Sequence, residues 1–125
     1  MDDEEPDYEL EALLALDGTT YNWRLRYIVE FSAWRVSRTE HRPHGLRYAL
    51  LLRRKSDGKV LVKYDNAHAV RRQGGRYARQ PSAHDHRHKG LKGKTQPYAY
   101  ISPSHLLEDF FADVKESIEN EEQDR

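Results

Sequence analysis

At 125 residues the chain suits one domain with a single modest core. A mean hydropathy of −1.01 leaves little apolar material beyond that core, and no run approaches the roughly 20 apolar residues of a membrane span. The start Met1-Asp2-Asp3-Glu4-Glu5 is the opposite of a secretory signal, and the lack of cysteine excludes disulfides and thiolate metal sites.

The net charge of zero conceals a division along the chain. Residues 1–20 hold eight acids and no bases, and residues 21–107 hold nineteen Lys and Arg against five acids. Residues 108–125 return to eight acids against two bases. A basic body between acidic ends points to a polyanionic partner, nucleic acid first, in a cytoplasmic chain with no membrane role.

Residues 1–7 carry little apolar content and are expected to form a disordered acidic tail. Residues 8–120 form the single domain, and residues 121–125 a second acidic tail. The stretch 8–16, YELEALLAL, fits two templates. Leu10, Ala12, Leu14 and Leu16 alternate as in a strand, whereas Leu10, Leu13 and Leu14 share a helical face. The turn signal Asp17-Gly18 directly after it favours the strand.

Leu25, Tyr27, Val29, Phe31 and Ala33 then alternate with Arg24, Arg26, Glu30 and Ser32, the pattern of a half-buried strand. His41-Arg42-Pro43-His44-Gly45 breaks it. Leu46, Tyr48, Leu50 and Leu52 alternate next, Ser56-Asp57-Gly58 turns the chain, and Val60, Val62 and Tyr64 alternate again. An antiparallel meander with one apolar face follows, its other face gathering Arg26, Glu30, Arg47, Arg53, Lys63 and Asp65.

Residues 66–97 are basic, glycine-bearing and histidine-bearing, with little to bury, as in a long functional loop. Pro97–Ile101 is a candidate short strand. Ser102-Pro103 is a helix-start signal, and Leu106, Leu107, Phe110, Phe111, Val114 and Ile118 form one apolar stripe at helical spacing. The expected fold class is α+β: a mainly antiparallel β-sheet with a C-terminal amphipathic helix packed on one face.

Two stretches could carry chemistry. HDHRH, residues 84–88, would put His84, His86 and His88 on one side of an extended segment. That geometry could hold a metal, but the surrounding Lys and Arg raise the cost of binding a dication, and Asp85 alternates to the other side. Acid–base work suits the charges better, because imidazole exchanges protons near neutral pH. RNA cleavage without metal needs a base for the 2′-hydroxyl, an acid for the leaving 5′-oxygen and cations for the phosphorane. The second stretch, Lys63-Tyr64-Asp65-Asn66-Ala67-His68, ends the last meander strand with Lys63 and Asp65 on the open face. Asp65 and Asn66 could equally be an Asx-type turn.

Tyr64-Asp65-Asn66-Ala67-His68, with the later His86-Arg87-His88 and the leucine-bearing C-terminal helix, resembles the TumE-like toxins of bacterial and archaeal toxin–antitoxin modules. The similarity runs from about residue 9 to 118. Lys63 stands where that family usually has arginine, and the segment from Ala69 to Ala83 is longer and more basic, so His84 competes with His86 for one role. The resemblance implies a growth-inhibiting toxin with a helix-turn-helix antitoxin as partner and activity on RNA, free or on the ribosome. The expectation is a metal-independent ribonuclease that interferes with translation and needs no cofactor. His86, His88 and His68 would supply acid or base, with Asp65 or Glu30 orienting a histidine or acting as the base. Arg47, Lys63, Arg87, Lys89, Arg71 and Arg72 would bind phosphate. A non-catalytic RNA- or ribosome-binding module on the same basic face is the competing reading.

Overall fold

A computed structural model describes residues 7–40, 43–66, 85–90 and 93–123. Six strands form one antiparallel sheet in chain order: β1 (Thr20–Trp23), β2 (Tyr27–Arg35), β3 (Leu46–Arg54), β4 (Val60–Asp65), β5 (His86–Lys89) and β6 (Gln96–Pro97). Helices α1 (Tyr8–Ala15) and α2 (Pro103–Gln123) share one core with this sheet, so the α+β expectation holds. Among the described residues no helix is long and apolar enough to cross a membrane.

The apolar alternation decides which face the helices cover. Tyr27, Val29, Phe31 and Ala33 of β2 and Leu46, Tyr48, Leu50 and Leu52 of β3 are buried, while the residues between them are not. On α2, Leu106, Phe110, Val114 and Ile118 are buried, with Leu107 and Phe111 half-buried beside them. Ser102 caps the helix by accepting the His105 N–H on Oγ at 3.1 Å, and Pro103 loses nothing at the first helical position. The helix runs through Glu121, which accepts from Arg54 Nη1 at 3.0 Å, so part of the acidic C-terminal segment is built into the fold.

Three expectations are corrected. Within the stretch 8–16, Tyr8–Ala15 is helical, because Asp7 accepts the Leu10 N–H at 3.0 Å as N-cap and because Leu13, which the alternating reading leaves out, is the fully buried residue. Asp17-Gly18 therefore joins a helix to β1, and the Asp17 carboxylate accepts the Ala33 N–H at 3.0 Å. Leu25 and Arg26 are not in the strand: residues 24–26 form the turn between β1 and β2, and Leu25 is 83% exposed. Residues 66–97 are not one loop, since β5 lies within them, and the short strand that follows is Gln96–Pro97, not Pro97–Ile101.

The β1–β2 turn has no sequence signal because it is made from the wrong residues. Arg24 and Leu25, the middle residues of a turn that the Arg26 N–H closes on the Trp23 carbonyl at 3.3 Å, have φ of 54° and 64°, the left-handed region that Asn and Gly fill with little strain. Arg24→Asn with Leu25→Gly is expected to stabilise the fold by about 1–2 kcal/mol. Urea unfolding measures this, and an unchanged midpoint would count against a strained turn.

Candidate functional site

The site is built by the pairing of β4 with β5. Their register sets Lys63 opposite His88, Tyr64 opposite Arg87 and Asp65 opposite His86. Side chains alternate across a strand, so these three rows divide between the two faces of the sheet. Lys63, Asp65, His86 and His88 lie on the face away from the helices. Tyr64 and Arg87 lie beneath α2, where they converge on Asp113. The Tyr64 hydroxyl donates to Asp113 Oδ2 at 2.6 Å, and Arg87 donates from Nε and Nη2 to both carboxylate oxygens at 3.0 and 3.1 Å. Lys89, also on that side, reaches Glu116 Oε1 at 2.8 Å.

On the open face Asp65 is the centre. Its Oδ2 is 3.2 Å from Lys63 Nζ, and its Oδ1 is 3.7 Å from His86 Nδ1, an ion-pair distance rather than a hydrogen bond. The carboxylate side chain is only 13% exposed, whereas Lys63 is 46% exposed and available to an incoming anion. Lys63, Asp65, His86, Arg87, His88 and Thr95 line a shallow pocket of about 140 Å³. Thr95, which sequence reasoning did not single out, adds a hydroxyl to this wall.

The other candidates are scattered. Glu30 shares the open face but pairs with Arg53 at 3.2 Å, two strands away from Lys63. Arg47 is on the same face over the Trp34 ring, 5.7 Å from its centroid. Arg87 and Lys89, expected on phosphate, are instead engaged by acids of α2. His68, Arg71, Arg72 and His84 lie outside the described residues.

Two buried polar residues beside the site were not foreseen as anchors. Asn66 continues β4 along β3 with its side chain: Nδ2 donates to the Leu46 carbonyl at 2.6 Å, and Oδ1 accepts the Tyr48 N–H at 3.0 Å. Asp85, immediately before β5, is 6% exposed and accepts the Tyr48 hydroxyl at 2.6 Å. His44 Nδ1 accepts the Leu46 N–H at 3.2 Å, which places the ring proton on Nε2, 3.2 Å from Asp85 Oδ2. Burial, then the negative charge of Asp85, pushes the Tyr48 hydroxyl well above the usual tyrosine range, so it serves as a donor and not as a base. Burial and the hydrogen bond to Asp113 do the same to Tyr64. The alternation of HDHRH already puts Asp85 on the buried side, where a carboxylate needs donors. Nothing local in the sequence names His44 and Tyr48 as those donors.

The arrangement thus separates two tasks. The helix side of β4 and β5 fixes the strands, and the open side offers a carboxylate, an ammonium and two imidazoles within one pocket. That set can move protons and attract a phosphate. It is less suited to a dication, because Lys63 sits against the Asp65 oxygen that an ion would need. Among the described residues no group of three or more His, Asp or Glu is placed to hold a metal ion.

Comparison with known proteins adds one positive finding. A family model described as Toxin TumE matches residues 6–118, which includes every element from α1 to most of α2. No curated protein and no solved structure matches the chain.

Proposed function

Because the chain belongs to the TumE toxin family, and is therefore the toxin of a toxin–antitoxin module with an antitoxin as partner, we propose that it inhibits growth by cutting RNA on its open sheet face. The observation that supports this reading is the β4–β5 register, which brings Asp65 against His86 and Lys63 against His88 in one pocket. Both motifs that carry the family resemblance meet there.

In the proposed reaction His86, whose Nδ1 faces Asp65, takes the proton of a 2′-hydroxyl through Nε2. The freed oxygen attacks the adjacent phosphorus, and the 5′-oxygen leaves with a proton supplied by His88. Lys63 stabilises the charge that builds on the phosphorane oxygens. Asp65 supports the imidazolium that forms beside it. Arg87 is assigned to holding β5 on α2, not to the phosphate. The chemistry needs no metal and ends in a 2′,3′-cyclic phosphate and a 5′-hydroxyl.

Purified protein is expected to cleave RNA in EDTA and to leave cyclic phosphate ends. End-group analysis and rate measurements with and without chelator check this. Activity lost on chelation and restored by zinc would overturn the mechanism, as would 3′-hydroxyl ends. Growth inhibition and RNA binding with no cleavage of free or ribosomal RNA would leave a binding module that blocks translation by occupancy.

A further inference from the structure

Trp34 is the exposed aromatic on the open face among the described residues. It lies near the end of β2, is 44% exposed, and stands directly opposite Arg47, whose guanidinium carbon is 5.7 Å from the ring centroid. Two residues back along β2 is Ser32, which begins the cross-strand row Ser32, Ala49, Asp65 and His86. Strand spacing and rise put Trp34 ~12 Å from Asp65 on the same surface. Tyr21 and Trp23, by contrast, belong to the other face, where they meet Phe31 and Phe111.

We infer that Trp34 and Arg47 form a base-stacking subsite, and that the RNA accepted by this face is single-stranded around the cleaved bond. An exposed indole offers a flat apolar surface that every unpaired base can cover, while a paired base keeps its faces inside the duplex. Arg47 holds one side of the ring by a cation–π contact and carries a charge to the neighbouring phosphate. A strand entering at Trp34 passes over Ser32 and Ala49, small side chains that leave the path open, and reaches the Asp65 pocket. The inference rests on the open face being an RNA site, but not on cleavage taking place there.

The test uses a short 2′-O-methyl oligouridine, which cannot be cleaved by 2′-hydroxyl attack. Its binding to the full chain is expected to quench tryptophan emission, and Trp34→Leu is expected to remove that quench while Trp23 still emits. Trp34→Leu should also weaken binding about five- to 150-fold, measured by anisotropy, with Trp34→Phe restoring most of it. A fully paired duplex of the same length should give no quench. Unchanged affinity in Trp34→Leu, or a quench that persists in it, overturns the subsite. So does a Trp34→Leu protein that cuts and binds RNA normally but escapes its antitoxin, since Trp34 is then a protein anchor. Trp34-dependent binding with no cleavage of unmodified RNA sinks the nuclease mechanism and leaves the subsite standing. No binding of either oligonucleotide overturns both.

Discussion

His86→Ala and His88→Ala are each expected to slow RNA cleavage about 10²- to 10⁴-fold, the loss typical when one general acid or base is removed. Growth inhibition should fall with it. Asp65→Asn should lower the rate in the same direction, because it keeps the shape of the side chain but removes the charge beside His86 and Lys63. Stability should hardly change. Among the described residues no element covers the histidine face, and an ion pair with a half-exposed lysine is worth ~0–1 kcal/mol. Rates on a labelled RNA, run beside thermal melts of the same proteins, check both halves. A histidine variant that melts early without losing rate per folded molecule would make that imidazole part of the scaffold.

Phe110→Ala marks the opposite case. Its ring is fully buried between the sheet and α2, with edge contacts to Phe31 at 6.0 Å, Tyr64 at 5.9 Å and Phe111 at 5.2 Å between centroids. Truncation leaves a cavity under the middle of α2, so a loss of ~3–5 kcal/mol is expected. Urea unfolding would show it as a lower midpoint at an unchanged slope. Inhibition of growth should then weaken only as far as the folded fraction falls. A well-folded Phe110→Ala protein that no longer cuts RNA would mean that α2 takes part in the chemistry.

Much of this layout could be read from residue order, and the exceptions have physical causes. Runs of alternating Leu, Val, Tyr and Phe identified β2, β3 and β4, since a strand with one covered face must repeat every second residue. The stripe from Leu106 to Ile118 did the same for α2. Residues 8–16 satisfied both periods, and the deciding interaction was a single capping carboxylate at Asp7. The turn at Arg24 and Leu25 left no trace because neither residue favours the conformation it adopts. For the candidate site, the motifs fall on β4 and β5, and alternation placed His86 with His88 and Lys63 with Asp65. It could not show which strands would lie side by side. The β4–β5 register, and with it the difference between Lys63 at the pocket and Arg87 beneath α2, is a long-range fact. The same holds for Asp85, whose donors are 37 and 41 residues away in sequence.

β6 gives this arrangement a further property. An antiparallel sheet invites other copies to add strands at its rims. Here β6 pairs with His86 and Arg87 of β5, and its last residue, Pro97, has no N–H to offer a neighbour. Strand addition along that half of β5 is thereby disfavoured.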